Sequence, residues 1–227
     1  MLQDKNKKLL TIILARKGSK RIKDKNLRKI GKYSLFENTI RFALKLKNYS
    51  DIVVSTNDLR IINISKKYKV LNPGLRPEYL SGRYSSSLNV VKYLIKWYER
   101  EIKKSVGGII LLQPTSPFRI LNLILKSINS YKKNKYNYVS ITKHKDNKKN
   151  KLYLSKKKIL ELPDKNKVAN CYINGNFYIL NSKKIKTNTL QTLLKSKTKG
   201  IMIKSKKISL DIDTDSDLKK ARNYNKV

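Results

Sequence analysis

Ile12 to Asn26 reads IILARKGSKRIKDKN, an apolar strand running without pause into a loop that carries one glycine and, counted as far as Arg28, seven cationic side chains: Arg16, Lys17, Lys20, Arg21, Lys23, Lys25 and Arg28. A loop of this kind at a strand end suits phosphate, because Gly18 lets the backbone bend close to a ligand whose charge the lysines and arginines neutralise. It is not a Walker A loop, which needs two glycines around four residues and then Lys-Ser/Thr, and it lacks the G-x-G-x-x-G of dinucleotide folds. A different nucleotide site is required.

Outward from the loop, strands and helices alternate. Leu9 to Ala15 reads as a buried strand, and a helix follows from about Leu35, capped reciprocally by Ser34 and Glu37. Asp51 to Thr56 is a second strand, Asp58 caps the next helix, and Val70-Leu71 is a short third strand. Between Ser85 and Lys104, residues Leu88, Val91, Ile95, Tyr98 and Ile102 recur at helical spacing. Gly107 to Gln113 forms a fourth strand, followed by a helix over about Ile120 to Lys132 and a fifth strand near Tyr136 to Thr142. This alternation predicts an α/β fold with a doubly wound, mostly parallel, Rossmann-like sheet. Ligands of such sheets sit at the carboxyl ends of the strands, where the winding reverses. The first and fourth strands flank that point, so the cationic loop and the turn Gln113-Pro114-Thr115-Ser116-Pro117 face one pocket.

From Lys143 to Lys167 the pattern breaks into short β-like pieces, Leu152 to Ser155 and Ile159 to Leu162, in a lysine-rich background. This reads as an inserted arm or hairpin. Cys171 to Leu180 returns to strand character, Ile201 to Ile212 supplies further strand, and a closing helix starts at Thr214 with Asp217 in its first turn. The expected organisation is one domain over residues 1–227, with an arm at about 143–182.

The 227 residues, 39% of them hydrophobic, suffice for one packed α/β core. One cysteine, Cys171, excludes an intrachain disulfide framework, and the lone His144, read as a surface residue, makes no metal site by itself. No run approaches the roughly 18 apolar residues of a membrane span and no signal-peptide core precedes the first strand, so a cytoplasmic protein is expected. The net charge of +39 raises the possibility of nucleic-acid binding. The lysines, however, are spread along the whole chain among Asn, Ile and Tyr, as in a genome biased towards A and T, and no helix-turn-helix, zinc-finger or RRM signature accompanies them. No specific nucleic-acid partner is expected.

Asp211 and Asp213 flank Ile212 in a β-like segment, where a period of two places both carboxylates on one face. In a chain with 15 acidic residues such a pair suggests magnesium, which takes a few carboxylates together with substrate phosphates; the alternative is that the pair caps the helix that follows. Gln113 offers an amide able to donate and accept, at a proline-bounded turn. Asn174-Gly175 reads by itself as a hairpin turn. No nucleophile elbow supports a Ser/His/Asp hydrolase.

Taken in order, ILARKGSKRIKDKNL, DIVVSTND at 51–58, LRPEYLSGRYSSS at 75–87, LLQPTSPFR at 111–119, NGNFY at 174–178 and DIDTDSDL at 211–218 resemble the N-acylneuraminate cytidylyltransferases, the CMP-sialic acid synthetases. The resemblance spans nearly the whole chain. It implies an α/β nucleotidyltransferase that joins CTP to an acidic nine-carbon sugar, sialic or legionaminic acid, releases pyrophosphate, uses Mg2+ and dimerises through its small arm. It assigns Ala15, Arg16, Ser19, Lys20, Lys25 and Asn26 to the phosphates and sugar of CTP, and Arg76, Ser85 and Ser87 to the cytidine end. It places Gln113, Asn174 and Tyr178 at the acyl sugar and Asp211 and Asp213 at the metal, with Arg16, Lys25 and the two aspartates as the catalytic set. KDO and pseudaminic acid are the alternative sugars, and a nucleotide-binding homologue without turnover is the alternative class. Two positions depart from the family pattern: Arg83 replaces an acidic residue, and Glu161-Leu162-Pro163 lacks the arginine that usually precedes the Asn-Gly element.

Overall fold

Strand β1 (Lys8–Leu14) carries Leu10 and Ile12 on one face and Leu9 and Ile13 on the other, all buried. A strand apolar on both faces must be covered on both, and this one is. In a computed structural model describing residues 8–82, 85–143, 151–162, 166, 168–187 and 198–225, the remaining strands are β2 (Lys29–Ile30), β3 (Tyr33–Ser34), β4 (Ser50–Ser55), β5 (Val106–Leu112), β6 (Asn137–Lys143), β7 (Lys151–Leu154), β8 (Leu160–Glu161), β9 (Cys171–Asn181) and β10 (Thr198–Met202). The main sheet runs β10-β6-β9-β5-β1-β4. Strands β4, β1 and β5 are mutually parallel, as are β6 and β10, whereas β9 lies antiparallel between β5 and β6.

The helices are α1 (Leu35–Leu44), α2 (Leu59–Lys67), α3 (Ser87–Glu101), α4 (Leu121–Asn134), α5 (Ser182–Thr187) and α6 (Asp215–Tyr224). Val91, Leu94, Ile95 and Tyr98 of α3 and Ile185 of α5 cover one face of the sheet. Phe36 and Ile40 of α1 with Ile124, Ile128 and Tyr131 of α4 cover the other. The expected caps are present: Ser34 and Glu37 form a capping box on α1, Asp58 accepts from Arg60 N at the start of α2, and Thr214 and Asp217 form a second capping box on α6. No helix among the described residues is long and apolar enough to cross a membrane.

A third, smaller cluster decides where the ends of the chain meet. Ile22 from the cationic loop, Ile30 of β2, Leu35, Ile212, and Leu218 and Ala221 of α6 are buried together, with Phe118 and Leu210 packed against them. Backbone pairing reinforces it, since Ile212 N donates to Thr115 O at 2.8 Å.

The structure corrects four expectations. Val70-Leu71 is not a full strand but an isolated bridge, Leu71 to Val53. The strand expected over Ile201 to Ile212 ends at Met202; Ile203 N still reaches Ile141 O, after which a turn over 206–209 takes the chain off the sheet edge. Asn174-Gly175 lies inside β9 instead of joining two strands: the register jumps between Val139↔Tyr178 and Ile141↔Ile173, so several residues of β9 bulge out. Hairpin β7–β8 exists as expected but folds back on its own sheet, with Leu152 and Leu160 buried beside Cys171 and Leu162 left 41% exposed. Arg83, His144 and the rest of 144–150 lie outside the described residues, as do 163–165 and 167.

Removing the Ile212 side chain should open a cavity in the third cluster. Ile212→Ala is expected to lower unfolding free energy by about 2–5 kcal/mol, measured by urea titration. A change within a few tenths of a kcal/mol would mean that the cluster does not hold the chain ends together.

Candidate active site

The carboxyl ends of β1, β4 and β5 lie side by side, and the segments leaving β1 and β4 are fastened to each other. Ala15 N donates to Ser55 O at 3.0 Å, and Thr56 Oγ1 donates to Ala15 O at 2.6 Å. Lys17 N donates to Asn57 Oδ1 at 2.7 Å, and Asn26 Nδ2 closes the loop by donating to Arg16 O at 2.9 Å. Gly18 has φ +82°, a conformation that needs a glycine at the tip.

These fastenings frame a cleft of about 640 Å³. Arg16, Ser19, Lys20, Lys25, Asn26, Arg76, Ser85, Ser87, Gln113 and Asp213 all line it, so ten sequence-derived positions, scattered over nearly 200 residues, converge there. Ala15 is fully buried behind the loop and contributes backbone only. Arg76 is buried, donating from Nε to Ser55 Oγ at 2.9 Å and from a terminal nitrogen to Ser55 O at 2.7 Å. Burial, and after it the charge of Arg16, push its pKa down to about 10. Two guanidinium groups facing one cleft, the buried one bonded to Ser55 and to no carboxylate among the described residues, make a site short of negative charge.

The acidic pair is arranged differently from the sequence expectation. Residues 211–213 are irregular, not β, and Ile212 between the two aspartates is fully buried. Asp213 accepts from Lys25 Nζ at 3.0 Å and from Arg21 at 2.7 Å, while Lys25 Nζ also donates to Ile212 O at 2.8 Å. Burial raises the Asp213 pKa, but hydrogen bonds and charge from Lys25 and Arg21 prevail and hold it below the ordinary value. Asp211 sits on the β9 side, where its charge adds to burial in raising the Tyr172 and Tyr178 pKa values. Helix capping does not explain the pair, because Thr214 and Asp217 cap α6 themselves. The donors are hard carboxylate oxygens suited to a small divalent cation. No cluster of three or more His, Cys, Asp or Glu that could hold a metal exists among the described residues, so further ligands would have to be phosphate or water.

Asn174 and Tyr178 do not line the cleft. Asn174 is buried, accepting from Asn176 N and donating to Thr142 Oγ1 at 3.4 Å, so its side chain shapes the bulge. The bulge presents Gly175, with φ +77°, to Gln113: a Cβ there would come 2.5 Å from Gln113 Oε1. Arg119, to which the sequence reading gave no role, pins this arrangement. It donates to Gln113 O at 2.6 Å, Asn176 O at 3.1 Å and Thr39 Oγ1 at 3.3 Å, and burial pushes its pKa down to about 9. Ile22 also escaped the sequence reading, since a lone isoleucine in a cationic loop leaves no motif.

Asp213, returned from the far end of the chain, lines the cleft with the cationic strand-end loop, whereas Asp211 does not line it. The chain that builds it is matched by the profile of the family described as "Cytidylyltransferase", over residues 10–226. The chain belongs to the cytidylyltransferase family. It is therefore a nucleotidyltransferase. It is 30% identical over 221 residues to a CMP-N,N'-diacetyllegionaminic acid synthase of Legionella pneumophila, covering 92% of this chain and 93% of that protein. It is 32% identical over 124 residues to an N-acylneuraminate cytidylyltransferase of Escherichia coli, covering 55% of this chain and 28% of that protein. Among solved structures, a CMP:2-keto-3-deoxy-manno-octonic acid synthetase complexed with CTP shares the fold, with a TM-score of 0.74 at 13% identity over 96% of this chain and 98% of that one.

The depressed Asp213 pKa makes this cytidylyltransferase acid-sensitive at its site. A carboxylate with a lowered folded-state pKa adds stability above its unfolded value of about 3.9 and loses it as the pH falls through the folded value. Asp213→Asn should therefore flatten the loss of stability below about pH 4, read as melting temperature against pH. Superimposable profiles would show that the Lys25–Asp213–Arg21 bridge contributes nothing.

Proposed function

We propose that this cytidylyltransferase transfers CMP from CTP to the anomeric hydroxyl of a nonulosonic acid of the sialic or legionaminic type. The observation that carries the reading is the cleft itself: Arg16, Lys20, Lys25 and Arg76 converge with Asp213 as the only acidic residue lining it among the described residues. A triphosphate supplies the missing negative charge. The buried, carboxylate-free Arg76 beside Arg16 favours the phosphates as the group it meets, in place of the cytidine end suggested by resemblance. The full-length similarity to a CMP-N,N'-diacetyllegionaminic acid synthase supports a nine-carbon acidic acceptor.

In the reaction the anomeric oxygen bonds to the α-phosphorus, its hydroxyl proton passing to water, as the bond from that phosphorus to the pyrophosphate oxygen breaks in line and pyrophosphate leaves. Arg16, Lys20, Lys25 and Arg76 face the phosphate oxygens on which charge builds, already oriented by the loop, so little reorganisation is needed at the transition state. Asp211 and Asp213 would hold Mg2+, which when bound supplies charge neutralisation and orientation to the phosphates. Gln113, held from behind by Arg119 and Gly175, places its amide at the acceptor side of the cleft. A cytoplasmic location, where CTP is available, accords with this reading.

Pyrophosphate release should require CTP and Mg2+ together with a nonulosonic acid, tested across sialic, legionaminic, pseudaminic and KDO acceptors. Asp211→Asn and Asp213→Asn should each lower turnover by orders of magnitude, every tenfold being about 1.4 kcal/mol of transition-state stabilisation. Near-normal rates in both folded variants would remove the metal assignment, and release with no acceptor in the panel would remove the sugar class.

A homodimer is also proposed, on the resemblance and on the exposed Leu162 and Val168 in the arm region. Because Leu152 and Leu160 are already spent on the chain's own core, the interface has to rest on these outer residues. Light scattering at moderate salt should give twice the 26.5 kDa chain mass, and a monomer mass with full activity would refute it.

A further inference from the structure

Arg60 does not line the cleft, yet it pairs with two carboxylates, those of Asp24 and Asp58. From the first turn of α2 it donates to Asp58 through Nε at 3.0 Å and a terminal nitrogen at 2.7 Å, and it donates to both oxygens of Asp24, at 2.8 and 3.4 Å. Asp58 is buried and itself fixed by Thr56 Oγ1, which accepts from its backbone N–H, and by Arg60 N, so the guanidinium is oriented before it meets the loop. A planar fork holding two carboxylates gains geometric definition that a lysine would not supply.

What it holds is the residue before Lys25. Asp24 adopts a left-handed backbone, φ 53° and ψ 38°, which is sterically disfavoured for an L-residue. Its carbonyl accepts from Leu27 N at 2.8 Å, opening the tight turn Lys25–Leu27, and from that turn the Lys25 side chain swings back, 11% exposed, to Ile212 O and Asp213. Asn57, next to Asp58, holds the other limb of the loop through Lys17 N. Both limbs are thus tied to one short segment, Asn57 to Arg60, at the start of α2.

We propose that Arg60, anchored by Asp58, is a positioning residue: it clamps Asp24 in the left-handed conformation and thereby aims the Lys25 ammonium into the cleft. The proposal rests on the cytidylyl-transfer reading for its kinetic consequence, but the clamp has a readout that needs no substrate. Arg60→Ala should release Lys25, so that an amine-acylating ester labels it several-fold faster in peptide mass spectrometry of the free protein. An unchanged labelling rate would overturn the clamp whatever the reaction proves to be. In turnover, Arg60→Ala should lower kcat by about ten- to a hundredfold, the scale of a misplaced catalytic group.

The decisive arm is the combination with Lys25→Ala. If Arg60 acts through Lys25, the double variant is no slower than Lys25→Ala alone; losses that multiply would overturn the proposal. Should Arg60→Ala fold poorly, Asp24→Gly and Asp24→Ala test the same point, since both lose the ion pair but only glycine adopts the left-handed backbone freely. Asp24→Gly is expected to keep clearly more kcat than Asp24→Ala, and equal losses would count against the clamp.

Discussion

The small apolar cluster that buries Ile22 and Ile212 together is the constraint on which the site depends. These two isoleucines, 190 residues apart, are buried in one small cluster with Ile30, Leu35, Leu218 and Ala221. Each flanks a charged residue of the site: Ile22 follows Arg21, and Ile212 lies between Asp211 and Asp213. Burying an isoleucine is favourable by about 1.5–3 kcal/mol, whereas an ion pair open to water on one side, as at the half-exposed Asp213, contributes about 0–1, so the apolar cluster more than the attraction between Lys25 and Asp213 brings the chain ends together. The ion pairs then set the orientation of groups that hydrophobic burial has already made neighbours.

Charge explains why the cleft stands ready for an anion. Throughout the chain cations outnumber acids 54 to 15, and on the outer surface water and salt screen the excess. In the cleft, Arg76 is buried beside Arg16, and burial first, then the charge of Arg16, lowers its pKa and disfavours its charged form. That cost is offset when a polyanion enters. The same physics separates the fates of the two aspartates: Asp213 is held ionised by cations, while Asp211 faces the tyrosines of β9.

The wall of the cleft around Gln113 is built by backbone more than by side chains. A bulge in β9 brings Gly175 against Gln113, and Arg119 ties the carbonyls of Gln113 and Asn176 together from behind. Asn174 and Tyr178 therefore act through the shape of the bulge and the wall behind it. Family resemblance placed them at the sugar because of their position in the chain, but in the fold their side chains are spent on Thr142, Asn176 and the core.

Much of this was legible in residue order alone. The alternation of apolar strands with capped amphipathic helices requires a two-sided α/β sheet, and Ser34, Asp58 and Thr214 mark helix starts because a side-chain oxygen must satisfy the first free backbone donors. The cationic loop and the Gln113 turn could be assigned to one pocket because parallel strands share a carboxyl end. Only the tertiary structure decided the rest. That Asn174-Gly175 is a bulge and not a turn depends on which strands pair with β9, a long-range choice invisible to a local preference for Asn-Gly turns. That 203–214 leaves the sheet, that hairpin β7–β8 folds onto its own core, and that Ile22, Arg60 and Arg119 organise the loops all follow from contacts between residues far apart in sequence. A lone isoleucine or arginine carries no periodicity of its own, so its role exists only once the fold has chosen its neighbours.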